Sequence, residues 1–402
     1  MNRFQRTCLG ALLIGLTACS HAASPTSQAA PVSTAAEAIS SPTAGATATD
    51  MATATISPTP GETPTAQPLS NDSIETQVNK LAAWYLEQDN NSALGVAVVV
   101  RNPQTGVLEE EQFNYGTTAR GGGEAVTSST VYEIGSITKL FTGILLAQAV
   151  LAGDVKLDDR IQKYLPNGIR APAYKNKPIT LLDLATHRSG LPRDPATDDI
   201  GALYQWLNGY RLPRAPGAEY SYSNLGYALL GDMLARQAGT DFDALEFQSV
   251  SQPLGLPDTR EALNQGQTGR LAHGYTYGGS PAGNFPQSGA LSSAGYMHST
   301  LDDMTRFLLE NMEPETTPLA GPINLAQSLQ AEGRDARTGA ALGWDIDALG
   351  TTDERLSKVG ATYGFTSYIS LRRDGRYGFV LLSNGMYVEG LVSQMLHILN
   401  GE

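Results

Sequence analysis

Ser136 and Lys139 stand three positions apart, just after Gly135 and at the head of a long apolar run. On a helix, side chains at i and i+3 share a face, so the lysine amine can lie against the serine hydroxyl. A serine hydroxyl is a weak nucleophile and needs an adjacent base to take its proton. An ammonium buried beside it loses charge readily, because desolvation lowers a lysine pKa. The pair therefore reads as a nucleophile served by lysine rather than histidine. Alone it carries little weight, since a pattern this short arises easily by chance.

Two further elements keep it company. In Tyr222-Ser223-Asn224, a phenol near two lysines can be held as phenolate and work as base, then acid. Asn224 could offer its amide to Lys139 and to a substrate carbonyl. Tyr174-Lys175-Asn176 repeats the pattern, but it lies in a loop ending at Pro178. Tyr222 instead follows Pro216-Gly217 and opens an apolar helix from Leu225. The third element is Lys358-Val359-Gly360, leading into Ala361 and a β-rich run. On a strand edge Gly360 would let a substrate backbone approach closely, and Lys358 supplies a point charge for a carboxylate.

The elements around these residues follow from local pattern. Ser73 is expected to cap a helix from Ile74 to about Glu87, with Gln77 in the capping-box position. Leu94 to Arg101 is β-rich, and Asn102-Pro103 and Thr105-Gly106 mark a turn before a second strand. The run after Ser136 is apolar on most sides, which predicts a buried helix with the serine at its N-terminus. That end carries partial positive charge and free N–H groups. Leu157 to about Asn311 is rich in turns and short helices. Tyr363 to Leu371 and Tyr377 to Asn384 read as a hairpin through Asp374-Gly375, with a helix from about Val388 to Leu399. Strands at both ends predict an α/β (α+β) fold: one mixed, mainly antiparallel sheet, flanked by the terminal helices and carrying an inserted, mostly helical subdomain.

Ser-x-x-Lys, Tyr-x-Asn and Lys-x-Gly in this order resemble the serine β-lactamase and penicillin-binding protein superfamily, specifically its class C-like group. Glu133 to Lys139, Ile179 to Pro192, Tyr222 to Gly226, Ser299 to Met304 and Gly343-Trp344 are similar too. The likeness runs from Ile74 to Leu399 and feels closest to the D-alanyl-D-alanine carboxypeptidase/endopeptidase branch. It implies Ser136 as nucleophile, Lys139 bonded to it, and Tyr222 shuttling protons with Lys139; which of these two is the acylation base stays open. It further implies Asn224 on the substrate amide, Lys358 on the substrate carboxylate, and backbone N–H groups of Ser136 and Ala361 as the oxyanion hole. Three features depart from the pattern. Val359 replaces the usual hydroxyl residue, Glu389 stands where an asparagine is usual, and the stretch from Tyr222 to Lys358 is compact.

His187 sits in the Thr186–Gly190 turn and reads as structural, there being no Gly-x-Ser-x-Gly elbow for a histidine-assisted serine. His21, His273, His298 and His397 lack metal-ligand spacing, so neither a metal nor a cofactor is expected. Asp158-Asp159 and Asp302-Asp303 read as solvated or capping acids.

The N-terminus reads as an export signal over residues 1–18: Arg3 and Arg6, a short apolar stretch, then Leu16-Thr17-Ala18-Cys19. That box resembles a lipoprotein cleavage site with Cys19 as the lipidated residue, and Ser20 after it resembles outer-membrane sorting. Residues 19–72 are rich in Ala, Thr, Ser and Pro and predict a disordered tether. Residues 73–402 are long enough for one sizeable hydrolase domain. A net charge of −13 argues against a nucleic-acid partner.

The expected function is an exported hydrolase on the periplasmic face of the outer membrane, monomeric and anchored through Cys19. It would act on peptidoglycan peptides as a D-alanyl-D-alanine carboxypeptidase/endopeptidase and bind β-lactams. The alternatives are a class C-like β-lactamase, a carboxylesterase of the same fold, and a non-hydrolytic binding protein.

Overall fold

The computed structural model describes residues 73–88, 91–386 and 388–401. The export signal, Cys19 and the tether lie outside the described residues.

The first helix, Ile74–Leu86, starts where the Ser73 hydroxyl accepts the Thr76 N–H at 3.2 Å. Thr76, not Gln77, therefore occupies the third helical position, and its hydroxyl meets the Ser73 hydroxyl at 3.0 Å. The capping partner expected at Gln77 is off by one residue.

Eight strands form one sheet, in the order Leu108–Gly116, Ala93–Arg101, Tyr377–Ser383, Thr366–Arg372, Arg355–Ala361, Asp345–Asp347, Gly339–Ala340 and Ala331–Glu332. All its pairings are antiparallel, so the sheet expected to be mainly antiparallel is wholly so. The first strand pairs with the last, Leu94 opposite Ser383, so the two ends of the domain close one sheet. The hairpin strand begins at Thr366 rather than Tyr363, because Thr362 N–H turns back to the Phe365 carbonyl.

Alternation along the strands splits the core in two. Val96, Val98, Phe379 and Leu381 face the terminal helices Ile74–Leu86 and Glu389–Asn400, which contribute Val78, Ala82, Leu391 and Met395. Ala97, Val99, Val380 and Leu382 face the other way, toward Leu301, Leu308 and the helix Thr138–Ala152. In that helix every residue from Thr138 to Ala147 is buried. It is apolar and long enough, with the preceding turn, to cross a membrane, yet it is a core helix with Phe141 stacked on Phe307 at 4.5 Å. Between the sheet's outer strands runs the mostly helical region, including Leu181–Ala185, Ile200–Gly209 and Asn224–Ala238.

Candidate active site

Ser136 lies in a single 3-10 turn, Gly135–Ile137, that leads into the buried helix. Lys139, one turn on, is 0% exposed. Its Nζ donates to Ser136 Oγ at 2.9 Å, to Asn224 Oδ1 at 2.8 Å and to the Ala294 carbonyl at 2.6 Å. All three acceptors are neutral. Burial pushes the Lys139 ammonium below its ordinary range, and Lys358 and Arg193 push the same way against the opposing pull of Tyr222.

Tyr222 precedes the cap of the helix Asn224–Ala238, whose Ser223 hydroxyl accepts the Gly226 N–H at 2.9 Å. Its phenol reaches Ser136 Oγ at 2.7 Å. Burial alone would raise the phenol; Lys139 and Lys358 outweigh it and hold Tyr222 below the usual value. Three cations surround its ring: Lys139 Nζ at 5.0 Å, Arg193 Cζ at 5.0 Å and Lys358 Nζ at 5.5 Å from the centroid. Ser136 Oγ thus has an amine nitrogen and a phenol oxygen within hydrogen-bond reach, either of which could take its proton once deprotonated, the proximity that general-base catalysis requires.

The Lys358 strand runs beside the serine turn. A Cβ on Gly135, whose φ is +51°, would lie 2.6 Å from the Ala361 nitrogen. Arg373 N–H bonds the Glu354 carbonyl and Thr362 N–H bonds the Phe365 carbonyl, so even-numbered residues carry the ladder to the next strand. By alternation the Ala361 N–H points away from that strand. The Ser136 amide lies in a first helical turn, where no preceding carbonyl is in register. Two backbone donors, one on the serine turn and one on the strand beside it, are therefore free of helix and ladder partners.

Gly360 is needed for a different reason than expected. A Cβ there would fall 2.0 Å from the Ile134 carbonyl oxygen and 2.3 Å from Ser367 Oγ. The space belongs to the protein's own serine turn rather than to a substrate. Lys358 is 2% exposed, and its Nζ contacts Asp345 Oδ2 at 3.2 Å. Val359 points to the opposite face of the strand and is exposed. Glu389 is exposed in the first turn of the C-terminal helix.

Several neighbours carried no signal in the sequence. Asn224 Nδ2 donates to Asp194 Oδ1 at 2.6 Å, which orients the amide so that its oxygen faces Lys139. The Ala294 carbonyl is an end of the short helix Ser292–Gly295. His187 is the turn residue it was expected to be, with φ +57° and its carbonyl accepting Ser221 N–H at 2.7 Å. Its ring also lies 4.3 Å from that of Tyr222, and Nδ1 accepts the Ser223 N–H at 3.0 Å. Burial, then Lys358 and Lys139, push its pKa well down, so the imidazole is neutral. Tyr174-Lys175-Asn176 forms a hairpin turn with positive φ at Lys175 and Asn176, remote in role from the site. Asp303, read as solvated or capping, is buried and accepts from Thr259 Oγ1 and Asp258 N–H, each at 2.8 Å.

The chain matches the Beta-lactamase family over residues 81–397. It is 30% identical over 330 residues to the D-alanyl-D-alanine-carboxypeptidase/endopeptidase AmpH of Escherichia coli K12, covering 76% of this chain and 83% of that protein. A β-lactamase of Pseudomonas fluorescens is 28% identical over 350 residues, covering 78% and 94%. A β-lactamase of Yersinia enterocolitica is 27% identical over 371 residues, covering 79% and 94%. On the family match over most of its length and the likeness to these enzymes, the chain belongs to the β-lactamase family and is a serine hydrolase.

Proposed function

We propose that this hydrolase is a D-alanyl-D-alanine carboxypeptidase/endopeptidase of peptidoglycan peptides that is also acylated by β-lactams. The observation that carries the reading is the convergence of Lys139 Nζ and Tyr222 Oη on Ser136 Oγ, at 2.9 and 2.7 Å. Supporting it is the likeness to AmpH, named as an enzyme of that activity.

In this reading Ser136 Oγ attacks the carbonyl carbon of the penultimate D-alanine while its proton passes to Lys139 or to the Tyr222 phenolate. The carbonyl oxygen, now negative, takes hydrogen bonds from the Ser136 and Ala361 amides. Asn224 holds the substrate amide. The C–N bond breaks as the leaving amine accepts that proton from the Lys139–Tyr222 pair, leaving an ester on Ser136. Water then adds to the ester carbonyl and gives a proton to the same pair, and the C–Oγ bond breaks as the pair returns that proton to Ser136, releasing the carboxylic acid. No cofactor or metal takes part in these steps. Export, lipidation at Cys19, attachment to the periplasmic face of the outer membrane and a monomeric state complete the proposal. The tether of residues 19–72 would let an anchored enzyme reach a large fixed substrate.

The test is labelling of the purified chain and its Ser136→Ala variant with a fluorescent penicillin, alongside turnover of a chromogenic cephalosporin and of muropeptides. Stable labelling, slow cephalosporin turnover and release of D-alanine are expected. Equal labelling of Ser136→Ala would refute the mechanism. The second reading, a β-lactamase, rests on the relatives bearing that name. Rapid cephalosporin turnover with no action on muropeptides would establish it instead.

A further inference from the structure

The cation that the sequence assigns to the substrate carboxylate is already engaged. Lys358 is 2% exposed and held 3.2 Å from Asp345 Oδ2. A carboxylate docking there would give up its water next to a second carboxylate, in a place where charges are costly to bury. Lys358 is better placed to act on Tyr222, whose ring centroid is 5.5 Å away.

A different cation stands at the open side of the same ring. Arg193 Cζ lies 5.0 Å from the Tyr222 centroid, and its side chain is 55% exposed. Its ion contact with Asp194 is loose, Nε to Oδ2 at 3.7 Å, and the other Asp194 oxygen takes Asn224 Nδ2 at 2.6 Å. The backbone beneath it is fixed: the Arg193 carbonyl accepts Asn224 N–H at 2.6 Å and Leu225 N–H at 3.2 Å. So the helix that carries Asn224 also sets where Arg193 begins. A planar guanidinium offers a two-pronged fork that matches a carboxylate, and desolvating it costs less than desolvating an ammonium.

A D-alanine leaving group carries its carboxylate three bonds from the carbonyl carbon under attack, a span of about 3.5 Å. That keeps the anion close to Ser136 Oγ, which the Tyr222 phenol also meets at 2.7 Å, and Arg193 lies over the ring of that same tyrosine. Resting on the peptidase reading above, we infer that Arg193 is the specificity residue for the leaving-group carboxylate, with Lys358 acting as a positioning charge on Tyr222.

The experiment compares acylation of wild type, Arg193→Gln and Arg193→Lys by benzylpenicillin and by its methyl ester, followed by intact-protein mass. Wild type should react faster with the free acid than with the ester. Arg193→Gln should lose roughly ten- to a hundredfold with the acid, the usual range for a charged hydrogen-bonded contact. With the ester the loss should be clearly smaller, the part shared by both compounds reporting the charge that Arg193 places near Lys139, and reaction with the ester also shows that the variant is folded. Arg193→Lys, keeping charge but not the fork, should fall between. Equal losses with both compounds, or no loss with either, overturn the inference while leaving the acyl-enzyme reading intact. Failure of wild type to be acylated by either compound overturns both.

Discussion

Lys139 Nζ and Tyr222 Oη approach one oxygen, Ser136 Oγ, from two directions, and the ammonium also sits 5.0 Å from the tyrosine ring. Each group moves the other's proton equilibrium: the lysine lowers the phenol, while the phenol opposes the downward push of burial on the lysine. In the reaction proposed above, a proton leaving Ser136 would therefore belong to the pair rather than to either residue.

Tyr222→Phe separates the two roles. It removes the Oη contact with Ser136 but keeps the ring that packs on His187 at 4.3 Å. Acylation by benzylpenicillin should fall about 10²- to 10⁴-fold, the range for loss of a general acid–base. The melting temperature should move by no more than a few degrees. Near-wild-type acylation would assign the whole task to Lys139.

The second prediction concerns pH. Lys358 lowers both Lys139 and Tyr222, so its charge extends the base forms of the pair to lower pH. In Lys358→Met both groups should rise toward their ordinary values. The rising limb of the acylation rate against pH should then shift to higher pH, with the largest loss on the acid side. A rate profile lowered uniformly at every pH would show that Lys358 acts through binding alone.

Much of this site was legible because its residues fall on strong local signals. Ser136 and Lys139 share a helix turn, Tyr222 and Asn224 bracket a helix cap, and Lys358 opens a β-rich run. The tightly spaced elements were legible for the same reason, from the Ser73 cap to the Asp374-Gly375 hairpin. What was not legible comes to the site by tertiary closure. Asp345 meets Lys358 from the neighbouring strand, a three-residue piece too short to show a period. Arg193 and Asp194 arrive on a loop, and the Ala294 carbonyl is a backbone group with no residue signature. Gly360 was visible as a glycine, but only the fold shows that Ile134, not a substrate, fills its empty side.

Gly360→Ala tests that last point. The added methyl would meet the Ile134 carbonyl at 2.0 Å, and backbone on both sides must give way. Overpacking of this kind costs about 1–3 kcal/mol, and the same shift would move the Ala361 amide away from Ser136. Both melting temperature and acylation rate should drop. A variant with wild-type stability and rate would show that the serine turn and the strand are not in the contact described.

The last prediction lies away from the chemistry, in the short helix Phe242–Glu246, where Glu246 is 1% exposed. Burial is the main reason its carboxyl is pushed up from 4.5 to about 8, with Asp243 adding to the rise and a hydrogen bond from Ser251 opposing it. One of its oxygens, Oε2, has no hydrogen-bond partner. A carboxyl whose folded pKa is raised stabilises the fold fully below the unfolded value. Between about pH 4.5 and 8 the unfolded chain holds fewer protons than the folded one, so stability declines as pH rises. Above about 8 the folded group ionises too, and the decline ends. Glu246→Gln keeps the shape without the ionisation. It should match wild type at pH 5 and exceed it by a few degrees in melting temperature at pH 8. Melting curves taken at half-unit steps give the answer: parallel pH dependences for the two proteins would mean that Glu246 does not titrate across this window.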